Sequence, residues 1–181
     1  MLGGLPGTGK STLARALSER AKLSLIRSDV VRKELAGIPG DGKDKSSLQD
    51  GIYTPAWNQR TYAECLDRAE KLLFQGKRVL VDATFREESK RKYFLELAAR
   101  LAVPANFIVC QADPEAVQTR LSRRRGDASD ADWSAYQRAL AEWQEPGSLT
   151  HSALRILPTS GKPEEALTKG INLLRELSLL E

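Results

Sequence analysis

Gly4-Leu5-Pro6-Gly7-Thr8-Gly9-Lys10-Ser11, near the start of a 181-residue chain, matches G-x-x-x-x-G-K-[ST] at every fixed position. Glycines at those places let the backbone curl tightly and aim consecutive N–H groups inward, where they meet phosphate oxygens. The residues that follow carry Leu13, Ala16, Leu17 and Ala21 on one face, the spacing of an amphipathic helix over residues 10–21. A helix starting there adds its unpaired N–H groups and the positive end of its dipole. The stretch therefore predicts an ATP site formed by Gly4, Gly7, Thr8, Gly9, Lys10, Ser11 and Thr12. Lys10 would bridge the β- and γ-phosphates, and the Ser11 hydroxyl would be a ligand for Mg²⁺. A chance glycine turn has no need of the whole motif at the head of an amphipathic helix.

Outward from the loop, strand-like and helix-like pieces alternate, which predicts an α/β layer architecture. Strands are expected at residues 23–27, 77–84, 105–111 and 154–157, and helices at 30–35, 55–76, 87–101, 114–124, 133–142 and 164–180. With the strand entering the phosphate loop, that makes about five strands, in a parallel sheet with helices on both faces. Residues 37–50 hold Gly37, Pro39, Gly40 and Gly42 and are expected to form a loop on the acceptor side. A phosphate loop ordinarily hangs from a buried strand of about five residues. Only Met1, Leu2 and Gly3 precede Gly4, so the first strand is expected to be truncated and the natural chain to extend upstream with an apolar run or a fused domain.

Composition adds bounds. The length fits one domain over residues 1–181, and 41% hydrophobic with 29% charged residues is an ordinary globular mix. The net charge of +4 suits phosphate handling but is also an ordinary solubility charge. Cys65, Cys110 and a lone His151 cannot assemble a zinc site. Cys110, inside Phe107-Ile108-Val109-Cys110, reads as a buried small hydrophobe. With no basic-then-apolar leader and no apolar run of about 18 residues, a cytoplasmic protein off the membrane is expected.

Three further groups bear on chemistry. Asp29 and Arg32, in Ser28-Asp29-Val30-Val31-Arg32, follow the second strand, where the carboxyl ends of parallel strands form a ligand crevice. A carboxylate there can take the proton of an attacking hydroxyl, and Arg32 can hold a substrate group; alternatively Asp29 caps a helix and Arg32 is solvated. Asp82 ends the apolar Val79-Leu80-Val81 and is placed to help hold Mg²⁺, or simply closes the strand in a turn; Thr84 and Arg86 lie just beyond, on the acceptor side. Arg120, Arg123, Arg124 and Arg125 end a helix before Gly126. They suit the charge of a transferring phosphoryl group, complement the helix dipole, or contact nucleic acid. Residues 120–132 are the most polar stretch of the chain and are expected to act as a lid.

On these residues the chain resembles the P-loop kinase group of polynucleotide 5′-kinases, zeta toxins and small "predicted kinase" AAA-like ATP-binding domains. GLPGTGKSTLA resembles their phosphate loop, SDVVRKEL their Asp-x-x-Arg element, GIYTPAWNQRTYAE the start of their long helix, VLVDATF their third strand, RLSRRRGDASDAD their lid and ILPTSG their last strand. The resemblance implies a P-loop kinase fold that moves the ATP γ-phosphoryl to a hydroxyl acceptor. Asp29 would be the general base, Arg32 a substrate clamp joined by Arg86, and Arg120 and Arg124 catalytic lid arginines. The acceptor, a polynucleotide end or a small molecule, is not readable. Tyr53, Trp57, Tyr62, Trp133 and Trp143 could stack on bases or pack in the core. A toxin-type nucleotide-sugar kinase, or an ATP-driven switch with no acceptor, are the alternatives.

Overall fold

The protein is represented by a computed structural model, which describes residues 1–38, 51–123 and 132–180. Its elements in chain order are β1 (Leu2–Gly3), α1 (Lys10–Ala21), β2 (Ser24–Arg27), α2 (Ser28–Leu35), α3 (Pro55–Phe74), β3 (Val79–Asp82), α4 (Glu88–Arg100), β4 (Phe107–Gln111), α5 (Pro114–Arg123), α6 (Trp133–Ala141), α7 (Ser148–Ala153), β5 (Leu154–Pro158) and α8 (Pro163–Glu176). The strands form one parallel sheet in the order β2-β3-β1-β4-β5. β1 lies at the centre. Leu2 is opposite Asp82 on one side and Ile108 on the other, so both flanking strands end beside the phosphate loop.

Apolar positions alternate along the strands, and each face of the sheet builds its own core. Leu80, Ile108, Cys110 and Leu157 pack with Leu13, Ala14, Leu17 and Ala21 of α1 and with Ala166 and Leu174 of α8. On the opposite face Ile26, Val81 and Phe107 meet Tyr62, Cys65 and Ala69 of α3 and Phe94 and Leu97 of α4. The helices covering both faces leave the carboxyl ends of the strands as the open edge, and β1 sits where the chain switches from one side of the sheet to the other.

Helix ends follow local chemistry. Thr54 caps α3 by accepting from the Trp57 N–H, with Pro55 at the first turn, and Gly76 with φ of 70° follows its end. Asp132 caps α6 through the Ala135 N–H at 2.8 Å. α2 begins two residues earlier than the sequence pattern suggests: Ser28 and Asp29 are already helical, so Asp29 is a first-turn acid and not the cap. α8 ends at Glu176, four residues short of the apolar pattern. α7 was not foreseen, because Ser148-Leu149-Thr150-His151-Ser152-Ala153 has too few turns to show a period. Residues 39–50 of the expected acceptor-side loop, and residues 124–131 of the expected lid with Arg124, lie outside the described residues.

Candidate nucleotide and acceptor site

The phosphate loop joins β1 to α1. Gly7 takes φ of 79°, and a Cβ there would stand 2.8 Å from Val117 Cγ1 and 2.9 Å from Leu121 Cγ, so α5 packs against bare backbone. Gly9, with φ of 86°, is the N-cap of α1 and supplies no side-chain cap. The first N–H groups of the helix therefore have no side-chain acceptor and are available to an anion. The loop is anchored at both ends. The Gly4 N–H donates to the Thr84 carbonyl at 3.2 Å, and the Thr8 hydroxyl donates to the Leu5 carbonyl at 2.8 Å. Lys10 and Ser11 are both buried.

Two clefts meet at this loop. One, of about 720 Å³, is lined by Gly9, Ser11 and Thr12, by Thr119 and Arg120 of α5 and by Gly161 and Pro163 after β5. Arg120 is fixed in its wall: Nη2 donates to the carbonyls of Thr159 at 2.7 Å, Ser160 at 3.0 Å and Gly161 at 3.0 Å. Its Nη1 is buried without a hydrogen-bond partner among the described residues, and lies 3.6 Å from where a Cβ on Gly9 would be. Arg120 is thus a strut between α5 and the last strand, beside the phosphate loop.

The second cleft, of about 640 Å³, lies on the other side of Lys10 and is lined by Asp29, Arg32, Tyr53, Thr84, Arg86 and Arg138, among others. Asp29 is half-buried there, in the first turn of α2. Arg32 is 7% exposed; it donates to the Ile52 carbonyl and to Asn58 Oδ1, both at 3.1 Å, and its guanidinium sits 5.3 Å from the centre of the Tyr53 ring. Only its Nε has no hydrogen-bond partner among the described residues. Asn58 is itself held by Glu87 at 2.7 Å. Arg86 pairs with Glu142 at 2.6 Å, which ties the loop after β3 to the end of α6.

That loop has an uncommon conformation. Phe85 is left-handed with φ of 51°, a cost of about 1–2 kcal/mol for a residue with a side chain. Its surroundings hold it there. The Phe85 N–H donates to the Tyr62 hydroxyl at 3.0 Å, and its ring packs edge-on against Tyr62, Phe94 and Phe107. Arg91, fully buried, donates to the Phe85 carbonyl at 2.6 Å and the Arg86 carbonyl at 2.8 Å, pairs with Glu88 at 3.1 Å, and lies 4.5 Å from the Trp143 ring centre. The Tyr62 hydroxyl also meets the Thr84 hydroxyl at 3.5 Å, where either can be the donor. Burial pushes the Tyr62 phenol up to about 12, so it keeps its proton. Arg91→Met removes the donors of two carbonyls and of Glu88 at once. Breaking such a buried set costs about 3–5 kcal/mol. The melting temperature is expected to fall by at least about 6 °C in differential scanning calorimetry, at roughly 2 °C per kcal/mol for this size; a drop under about 2 °C would show that Arg91 does not hold the loop.

Asp82 ends β3 and is 3% exposed. Burial pushes its carboxyl above the ordinary range, with Lys10, the nearby Ser11 hydroxyl and Arg27 opposing and Asp29 adding to the rise. Arg27 Nε donates to Oδ2 at 3.4 Å, while Oδ1 has no well-aligned hydrogen bond to Ser11 or to any other described residue. A buried, unsatisfied carboxylate oxygen beside a serine hydroxyl is a donor set that fits Mg²⁺.

The fold thus gathers Gly4, Gly7, Thr8, Gly9, Lys10, Ser11, Thr12 and Asp82 at one edge, with Arg120 on one side and Asp29, Arg32 and Arg86 on the other. Sequence reasoning missed Asn58, Arg138 and Glu142 in the second cleft and Thr159 and Gly161 in the first. Arg138 and Glu142, four apart behind the Asp132 cap, and Thr159-Ser160-Gly161 after a strand, were the available signals. Among the described aromatic residues, Tyr53 and Tyr62 line the second cleft. Trp133 stacks on Tyr136 at 4.8 Å, Trp57 lies against Arg60 at 4.6 Å, and Trp143 covers Arg91.

Comparison with known proteins agrees with this architecture. Residues 1–146 match the family described as AAA domain. An uncharacterized protein of Mycobacterium tuberculosis is 30% identical over 175 residues; the match covers 97% of this chain and 34% of that protein, so the chain spans about a third of the curated relative's length. Among solved structures, an unliganded sugar kinase from Janibacter sp. HTCC2649 superposes with a TM-score of 0.68 at 16% identity, over 96% of this chain and 92% of that one. The APS kinase of Mycobacterium tuberculosis, in complex with AMPPNP and APS, gives 0.64 at 18% identity, over 96% and 95%. At these identities the two structures establish the shared fold.

Proposed function

We propose, from the premise that the chain belongs to the AAA domain family, that it transfers the γ-phosphoryl group of ATP to a hydroxyl of a small acceptor. The observation that carries this is the position of Lys10, which lines both clefts at once, with the phosphate loop on one side and Asp29 on the other. A nucleotide with its phosphates in the loop and its base towards Arg120 and Gly161 directs its γ-phosphoryl past Lys10 into the second cleft. There Asp29 takes the proton of the acceptor hydroxyl. The acceptor oxygen forms the new bond to Pγ as the bond from Pγ to the bridging oxygen of ADP breaks. Lys10 offsets charge on the phosphoryl oxygens throughout, and most of the acceleration comes from such placement and electrostatics. Ser11 and Asp82 would hold Mg²⁺, which neutralises β- and γ-phosphate charge when bound. Arg32 and Arg86 line the acceptor wall and orient its polar groups.

A small acceptor is favoured over a polynucleotide end because Trp57, Trp133 and Trp143 are engaged elsewhere and leave no row of rings along the cleft. An ATP-driven switch has no use for a carboxylate across from the phosphate loop. The test is a radiolabelled ATP screen over oligonucleotides, nucleotide sugars, aminoglycosides and sugar acids. Label is expected on one class of small hydroxylated compound, with ATP turnover raised well above the rate with water. Release of inorganic phosphate alone, unchanged by every acceptor, would leave the switch as the answer; label on oligonucleotides would reassign the acceptor, and label confined to nucleotide sugars would favour the toxin-type kinase.

A further inference from the structure

We propose that Thr159, just past β5, is a positioning residue that aims the phosphate loop at the nucleotide; this rests on the loop binding nucleotide phosphates, as above. Thr159 is 4% exposed. Its hydroxyl donates to the carbonyl of Thr8 at 2.7 Å, across 151 positions of sequence, and lies 3.0 Å from the Gln111 carbonyl. A hydroxyl has one proton, and the Gln111 carbonyl already receives the Thr159 N–H at 2.7 Å. The shorter contact, to Thr8, is therefore the one that needs it.

What this bond does follows from peptide geometry. In a planar trans peptide the carbonyl of one residue and the N–H of the next point in opposite directions. Fixing the Thr8 oxygen towards Thr159 turns the Gly9 N–H the other way, into the loop. Thr8 stands between Gly7 and Gly9, both at positive φ, where the backbone has the most freedom to rotate that peptide. No other described side chain donates to the Thr8 carbonyl. Thr159 is fixed in turn: its carbonyl accepts from Arg120, which also grips the next two carbonyls. A chain of contacts thus runs from α5 through Arg120 and Thr159 to the peptide that heads α1. The hydroxyl touches no nucleotide itself; it acts through the Thr8–Gly9 peptide.

The test uses the full chain with Thr159→Val, which keeps shape and loses the hydroxyl, and Thr159→Ser, which keeps it. Calorimetric titration with AMPPNP and Mg²⁺ measures phosphate-dependent binding, and competition by adenosine measures the base cleft alone. Thr159→Val is expected to weaken AMPPNP about ten-fold, the worth of one buried hydrogen bond with its unsatisfied partner, while adenosine changes less than about two-fold. Thr159→Ser restores AMPPNP binding to within about two-fold of wild type. A collapsed cleft would lower AMPPNP and adenosine together, and that result overturns the proposal, as does AMPPNP affinity in Thr159→Val within two-fold of wild type. Circular dichroism establishes folding, and Thr159→Ala carries the same comparison should valine not be accommodated. A wild-type protein that binds no AMPPNP removes the nucleotide reading itself, an outcome distinct from either variant result.

Discussion

Lys10→Ala is expected to abolish phosphoryl transfer in a protein that remains folded. Lys10 is 7% exposed, yet it lines both clefts and belongs to neither apolar core. Its removal leaves the sheet, the glycine turn and both cores as they are. What is lost is the phosphate-loop cation that lines both clefts and interacts with the buried Asp82 carboxyl. Removing a single preorganised group of this kind costs on the order of 10²–10³ in kcat, and a full charge at a transferring phosphoryl belongs at the upper end. ATP turnover and label transfer, read beside the circular dichroism spectrum, check it. Wild-type turnover in a folded Lys10→Ala protein would exclude the phosphate-loop assignment.

Asp29→Asn is expected to lower kcat by about 10²–10⁴-fold while AMPPNP affinity stays within about two-fold. The amide has the size of the carboxylate and can accept a hydrogen bond, but it cannot take a proton. Asp29 lines the second cleft, proposed above for the acceptor, and not the first, so the loss is expected to fall on turnover. Titration of AMPPNP with single-turnover transfer separates the two quantities. If nucleotide affinity fell and turnover per bound ATP did not, Asp29 would belong to the structure of α2 or to the metal, and another base would have to be sought.

The two variants also mark how far sequence reasoning reaches. Lys10 was legible because a phosphate loop is a local device: eight consecutive residues carry the turn, the charge and the helix start. Asp29 was legible only as a residue at the end of a strand, since its side of the crevice depends on where β2 lies. Arg120 was expected on a moving lid. Its three carbonyl contacts are made to residues about forty positions away, in the turn after β5, and helical spacing carries no information about such a partner.

What the sequence by itself determined was every feature written within one turn or one strand. That covers the phosphate loop and its helix, the alternation of strand and helix that makes a parallel sheet, the acids at the ends of β2 and β3, and the burial of Cys110. These depend on period and on neighbours in the chain. Only the tertiary structure decided the strand order β2-β3-β1-β4-β5, and with it that Asp82 stands beside β1 and Asp29 one strand further out. It also decided that Glu142 reaches Arg86, that Arg91 holds a left-handed Phe85, and that Thr159 meets Thr8. Those pairings join residues that no helical or strand period relates. They exist because two cores on opposite faces of one sheet bring distant parts of the chain to the same edge, where most buried polar groups find a partner.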